Sequence, residues 1–122
     1  MKKLLLTLLI AAGLLGAGTA FAADTAPKSV VHVVTVAWKA GTTAEQIKAA
    51  LDGAQALPAQ YPGITHVWTK TLKAQGDRTH VIAMEFTDEA ALKNYTDSAA
   101  QKEWYKVYLP IREQSTTFDI TN

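Results

Sequence analysis

The chain has 122 residues, no cysteine, and 12 lysine and arginine residues against 11 aspartate and glutamate residues. This length suits one small domain with a single core, and the lack of cysteine excludes a disulfide framework and a lipidated cysteine anchor. The formal net charge of +1 leaves no strongly basic surface of the kind that binds nucleic acid or anionic membranes.

The first 22 residues have the three regions of a secretory signal peptide. Lys2 and Lys3 precede an apolar run over residues 4–15, and small residues then lead to an Ala-Phe-Ala sequence that ends at Ala22. This pattern predicts cleavage after Ala22 and a periplasmic or secreted protein with no membrane association after cleavage.

The remaining chain divides into a short leader and one domain. Residues 23–29 are small and polar, so we expect a flexible leader, and residues 30–122 contain all the predicted elements. Without the two N-terminal lysines, ten basic residues stand against eleven acidic ones, and the formal net charge becomes −1.

The first half of the domain predicts a strand, a helix and a second strand. Alternating β-branched residues predict the first strand over residues 30–38. Thr42 and Glu45 have the spacing of a capping box that starts a helix, and Pro58 ends or kinks that helix. Turn residues then lead to a second strand over residues 64–72.

The second half predicts a strand, two helices and a final strand. The third strand, residues 78–86, follows the second through a hairpin, and a capping residue and two acids over residues 87–89 favour the start of a short helix. A further helix begins at Ser98 and stops near Pro110, before a final strand over residues 115–120. The apolar face predicted for the last helix contains Trp104, Val107, Tyr108 and Ile111.

The order β-α-β-β-α-α-β predicts an α+β protein with the ferredoxin-like split βαβ arrangement and a four-stranded antiparallel or mixed sheet. In this arrangement we expect the first and third strands to lie side by side and parallel. His32 and His80 open these two strands, and an aromatic residue follows each on the same face, at Trp38 and Phe86. Parallel neighbours about 4.8 Å apart would bring both imidazoles together at one end of the sheet.

The opposite face of the two central strands is also apolar. Helices can cover only one side of a four-stranded sheet, so this second face needs a partner. We therefore predict a homodimer that packs sheet on sheet; an uncovered apolar face of a small protein is the alternative. The residues predicted for the interface are Val31, Val33, Thr35, Val81 and Ala83.

Four segments of the sequence resemble the stress-responsive dimeric A/B barrel family, usually called Dabb. They are the opening strand VHVVTVAWKAGTT, the turn YPGI, the stretch THVIAMEFTDEAALKNY and the closing TTFDI. The resemblance implies a ferredoxin-like subunit that dimerises through its sheet into a barrel.

The resemblance also suggests site residues. A plant member of the family cyclises a linear polyketide without metal or cofactor, with a histidine on the first strand, a tyrosine on the second helix and a histidine in an HPAH motif. His32 and Tyr95 match the first two, and both are therefore candidate catalytic residues. Gln101 stands where the HPAH histidine would be, and glutamine cannot take a proton at neutral pH.

Further residues are candidates for the wall of a cavity between sheet and helices. The aromatic and methionine residues among them have spacings that more often belong to a plain hydrophobic core, which is the alternative. The candidate ligand-binding residues are His80, Trp38, Met84, Trp104 and Tyr108. His32, His80 and His66 are scattered singly along predicted strands, which is a weak pattern for metal binding, and we predict no metal and no cofactor.

These features leave three functional hypotheses. The first is an exported homodimer that binds a small apolar or aromatic molecule between sheet and helices. The second is a cofactor-independent enzyme, a polyketide cyclase or lyase, that uses His32 as a base. The third is a structural or stress-protective dimer without a ligand.

Overall fold

The computed structural model describes residues 28–73 and 76–121. The predicted signal peptide, residues 1–22, and most of the predicted leader lie outside the described residues. Within the described ranges, no helix is both long enough and apolar enough to span a membrane.

The described residues form four strands and four helices in one α+β domain. The strands are β1 (Val30–Trp38), β2 (Ile64–Thr71), β3 (His80–Phe86) and β4 (Arg112–Ile120), and the helices are α1 (Ala44–Gln55), α2 (Leu57–Gln60), α3 (Glu89–Tyr95) and α4 (Ala99–Tyr108). The predicted ferredoxin-like order is confirmed, with β1 at its predicted bounds and α2 as an additional short helix after α1.

Local hydrogen bonds explain where α1 begins, and Pro58 suits the start of the short helix that follows it. The capping box is formed by Thr43 and Gln46, because the backbone N–H of Gln46 donates to Thr43 Oγ1 over 3.2 Å and the Thr43 N–H donates to Gln46 Oε1 over 2.9 Å. The prediction of Thr42 and Glu45 for this box was wrong by one residue. Pro58 lies in the first turn of α2, where its missing N–H would have no helical partner.

The sheet has the order β2-β3-β1-β4, and each neighbouring pair is antiparallel. The prediction that β1 and β3 run parallel was therefore wrong. The crossover through α1 brings β2 back in the direction of β1, and the hairpin that follows β2 reverses the chain, so β3 must run against β1.

All four helices lie on one face of this sheet, and the core fills the space between the two layers. Alternate residues of β1 and β3, including Val34, Val36, Ile82 and Met84, are buried there. Trp104 joins α4 to α1, because its Nε1–H donates to the carbonyl oxygen of Ala50 over 2.8 Å.

One residue of the apolar face predicted for the last helix is not buried. Trp104, Tyr108 and Ile111 are buried as expected, but Val107 is 43% exposed. The buried stripe of α4 instead continues through Ala100.

The opposite face of the sheet carries no covering element among the described residues. Val31, Val33, Thr35, Val81 and Ala83 all lie there, and each is partly exposed. Three larger apolar residues flank them, namely Trp68, Phe118 and Ile120, which are 46%, 49% and 55% exposed. We refer to these eight residues as the open face.

Candidate functional site

A small cleft opens between the sheet and helices α3 and α4, above the β1–β4 half of the sheet. It has a volume of about 40 Å³, which is enough for one or a few water molecules. The residues that line it are His32, Val34, Met84, Tyr95, Gln101, Trp104, Tyr105, Tyr108, Arg112, Ser115 and Thr117. Six of them carry hydroxyl or charged groups, so the cleft is far more polar than the core beside it.

His32 lies in this cleft and is held by a carboxylate from the neighbouring strand. The register of β1 and β4 sets His32 opposite Asp119, and its Nδ1 lies 2.6 Å from Asp119 Oδ1. The Phe86 ring packs against the imidazole in a T-shaped arrangement, with centroids 6.1 Å apart. A carboxylate on Nδ1 fixes the ring orientation and the tautomer, and it leaves Nε2 as the nitrogen that can exchange a proton.

Two tyrosine hydroxyls in the cleft are buried without a partner. Tyr95 and Tyr108 are each only 2% exposed, and among the described residues neither hydroxyl makes a hydrogen bond of normal geometry. Burial raises the pKa of both phenols, and for Tyr108 the nearby Ser115 and Arg112 partly offset that rise. Both phenols are therefore protonated at neutral pH, and each keeps a hydroxyl hydrogen that it can donate.

Gln101 and Tyr105 form the side of the cleft next to the start of α4. Gln101 Oε1 accepts the backbone N–H of Asp97 over 2.8 Å, and its Nε2 donates to the Tyr105 hydroxyl over 3.1 Å. Asp97 has a φ of 64°, a left-handed conformation that this capping contact stabilises. Gln101 is thus a structural amide, and the hydroxyl hydrogen of Tyr105 stays available to a second acceptor.

His80 lies apart from this cleft, so the prediction that the two histidines are neighbours was wrong. In the β1–β3 register, His32 pairs with Met84 and His80 pairs with Val36. Four residues along β1 therefore separate them, a distance of about 13 Å at roughly 3.3 Å per residue.

The imidazole of His80 has a partner of its own. Trp38 Nε1–H donates to His80 Nδ1 over 2.9 Å, and the Thr79 hydroxyl lies at the same distance from that nitrogen. Because an indole N–H can only donate, Nδ1 carries no proton in this arrangement. Burial lowers the pKa of His80, which agrees with a neutral ring. Trp38 and His80 thus form a pair at the other end of β1, outside the cleft lining.

The third histidine lies on the uncovered side of the sheet. His66 Nδ1 is 2.8 Å from Glu85 Oε1, and its ring stacks on Trp68. Hydrogen bonds from Thr65 and His66 lower the pKa of Glu85. Across residues 28–73 and 76–121, no three histidine or carboxylate side chains come together in a group that could hold a metal ion.

The structure brings together five of the seven residues that the sequence suggested for a site, and adds others. His32, Tyr95, Met84, Trp104 and Tyr108 line the cleft. Tyr105, Arg112 and Asp119 were missed as site residues. Two patterns could have found part of this set: the spacing of 101, 104, 105 and 108 along one side of a helix, and the alternation of 115, 117 and 119 along a strand.

Several solved structures share this fold at low sequence identity. A hydroxynitrile lyase from Passiflora edulis aligns with a TM-score of 0.71 and 20% identity, covering 79% of this chain and 94% of that one. A Dabb family protein with a ferredoxin-like fold from Mesorhizobium loti aligns with a TM-score of 0.66 and 22% identity, covering 77% and 96%. A protein from Thermobifida fusca, described as dimeric, ferredoxin-like and of unknown function, gives 0.67 and 14%, covering 77% and 91%. No curated protein matches the chain.

At these identities the structural likeness establishes the fold alone. The family follows from the sequence, since the family model described as the stress responsive A/B barrel domain matches residues 30–122. This chain therefore belongs to the Dabb family of stress responsive A/B barrel domains.

Proposed function

We propose that this protein is a homodimer in which each subunit binds a small molecule in the cleft between sheet and helices. The observation that carries the binding function is the pair of buried hydroxyls, Tyr95 and Tyr108, which lack partners beside His32. A buried hydroxyl without a hydrogen bond costs about 1–3 kcal/mol, and a ligand with an accepting oxygen would recover part of that cost.

The dimer half of the proposal rests on the open face. Its central residues Val33 and Ala83 are apolar, and the larger Trp68, Phe118 and Ile120 remain substantially exposed in one subunit. A contiguous apolar surface of this kind is typical of a protein interface. Related folds that are described as dimeric, such as the Thermobifida fusca protein, support the same assembly.

The cleft volume limits how a ligand can bind. At about 40 Å³ the cavity admits the polar head of a small molecule, while an apolar or aromatic remainder would have to extend through the mouth. A large polyketide would not fit inside it. We therefore keep the small-molecule hypothesis and place the polar head group of the ligand beside Tyr95 and Tyr108.

Catalysis is a second candidate function, and the His32–Asp119 contact is the observation that favours it. A carboxylate on Nδ1 prepares Nε2 to accept a proton from an acidic C–H or O–H group and to return it later. Gln101 cannot replace the HPAH histidine as a base, so in this proposal proton transfer falls to His32. The hydroxynitrile lyase from Passiflora edulis supports an enzyme on this fold.

A structural or stress-protective dimer without a ligand remains the third hypothesis, and ligand binding separates it from the other two. We would titrate ¹⁵N-labelled protein with small carbonyl compounds such as acetone and acetaldehyde. Binding in the cleft predicts shifts at Tyr95 and Tyr108 that weaken in Tyr95→Phe and persist in His66→Gln, a matched change on the opposite side of the sheet. Shifts confined to the open face, or none at all, would reject binding of neutral carbonyl compounds in the cleft.

The same compounds test catalysis separately. In deuterated water, a base in the cleft would exchange their acidic C–H hydrogens for deuterium, which one-dimensional proton spectra detect directly. Wild-type protein and His66→Gln should then accelerate exchange, and His32→Gln should not. Equal acceleration by His32→Gln would exclude His32 as the base, and no acceleration by the wild-type protein would leave a binding protein without this chemistry.

Export is also part of the proposed function. The features of residues 1–22 support secretion with cleavage after Ala22. N-terminal sequencing of protein purified from the periplasm or medium should then begin at Ala23, whereas recovery of intact Met1 from the cytoplasm would contradict export.

A further inference from the structure

The lining of the cleft contains several hydrogen-bond donors and one permanent positive charge. The hydroxyls of Tyr95, Tyr105 and Tyr108 and the guanidinium of Arg112 line it, together with the hydroxyls of Ser115 and Thr117. No aspartate or glutamate belongs to the lining. A site with this composition is suited to an anion rather than to a cation or an apolar group.

Arg112 is the positive charge of the cleft. It lies at the start of β4, opposite Trp38, and its Cζ is 5.6 Å from the centre of the Tyr108 ring. Within the described ranges, none of the four ion pairs involves Arg112. Arg112 is only partly exposed, so its charge is incompletely screened by water.

The two nearby acidic residues do not neutralise this charge within the cleft. Asp119 is engaged by His32 Nδ1. Burial raises the pKa of Tyr105 above its usual value; the positive charge of Arg112 lowers that pKa, and the negative charge of Asp97 raises it further. Neither carboxylate lines the cleft, so within the lining Arg112 has no carboxylate partner.

From this arrangement we infer that the ligand of the cleft is a small carboxylate, and that Arg112 determines this specificity by supplying the counter-charge. The inference rests on the proposed binding function and names the class of its ligand. One guanidinium matches one carboxylate in charge and in its fork of donors. The buried tyrosine hydroxyls would satisfy the remaining lone pairs of the carboxylate.

A phosphate group fits this site less well. It carries up to two negative charges at neutral pH, whereas Arg112 is the single cationic side chain in the lining. It is also bulkier than a planar carboxylate, and the cavity measures about 40 Å³.

The test compares propionate with propionamide, which has nearly the same shape but no charge, and with inorganic phosphate. Each probe is titrated into the ¹⁵N-labelled protein while the resonances of the cleft and the Arg112 Nε–H are followed. We expect propionate to bind at least about tenfold more tightly than propionamide, since a charge-assisted hydrogen bond is roughly twice as strong as a neutral one. Phosphate should bind more weakly than propionate.

Three variants identify the residue responsible. Arg112→Gln should abolish the preference for propionate, and Arg112→Lys, which keeps the charge, should restore part of it. Lys102→Gln is the matched control, because it removes one positive charge from an exposed position on α4 and should leave the preference unchanged. Thermal unfolding of each variant establishes that it is folded before the affinities are compared.

The possible results distinguish failure of the carboxylate inference from failure of the proposed binding function. Equal binding of propionate and propionamide in the cleft would overturn the carboxylate inference and leave the binding function standing. The same holds if Arg112→Gln keeps the preference, or if phosphate binds more tightly than propionate. If no probe and no carbonyl compound shifts a cleft resonance, both proposals fail together.

Discussion

Truncation of Phe118 should weaken the proposed dimer strongly. Phe118 lies on β4 opposite Val33, in the middle of the open face, and is 49% exposed in the single subunit. A phenylalanine side chain can bury roughly 150–250 Å², so its exposed half offers about 100 Å² to a partner.

The size of the effect follows from this area and from twofold symmetry. About 100 Å² at roughly 25 cal/mol per Å² is about 2.5 kcal/mol for each subunit. Alanine retains some of that surface, so we take about 2 kcal/mol per subunit. A twofold interface contains the residue twice, and a total of about 4 kcal/mol raises the dissociation constant about a thousandfold.

Sedimentation equilibrium over a dilution series measures this constant directly for wild type and Phe118→Ala. Val107→Ala is the control, because Val107 is similarly exposed, at 43%, but lies on the helix layer on the other side of the domain. If Phe118→Ala dimerises within about threefold of wild type, or Val107→Ala weakens the dimer equally, the sheet-on-sheet assembly is wrong.

Two further predictions concern stability. Burial lowers the pKa of His80 in the folded state, so the neutral ring stabilises the fold above the unfolded value of about 6.5 and this stability is lost as the pH falls through the folded pKa. Urea unfolding between pH 7.5 and 5 should show this decline, and His80→Gln should flatten it; an unchanged slope would contradict the burial argument. Separately, Trp104→Phe removes the buried N–H that bonds Ala50 and should lower the free energy of unfolding by about 1–3 kcal/mol, whereas Val107→Ala, at an exposed position on the same helix and outside the open face, should change it little.

Local periodicity was enough to locate most elements. The β-branched alternation of β1 gave its bounds correctly, because a strand with apolar side chains on both faces has a strong pattern of its own. The stop of α4 near Pro110 also followed from local chemistry, since proline cannot continue the helical hydrogen bonds. The predicted start of α1 was wrong by one residue. Thr42 and Thr43 are both acceptable N-caps, and the sequence alone does not show which hydroxyl accepts the backbone N–H three residues later.

The cleft was harder to predict because its residues come from separate elements. Asp119 and His32 lie 87 positions apart, and only the antiparallel register of β1 and β4 sets them opposite each other. Arg112 lay outside the predicted final strand, so its place beside Tyr108 could not be expected. Gln101 and Tyr105 are four residues apart on α4, so their contact is local to the helix, but only the packing of α4 over the sheet places this pair at the cleft.

The sequence by itself determined the family, the order of elements and the two-faced character of the central strands, because alternation and spacing are properties of neighbouring residues. The tertiary structure decided which histidine lies with which partner. Side-chain alternation is the same in either strand direction, so it cannot reveal that β3 runs antiparallel to β1. The antiparallel direction places His80 beside Trp38 and separates His80 from His32 by about 13 Å along the strand, at roughly 3.3 Å per residue. Strand direction depends on the connections between elements, and these bring Asp119, the tyrosines and Arg112 to His32 instead.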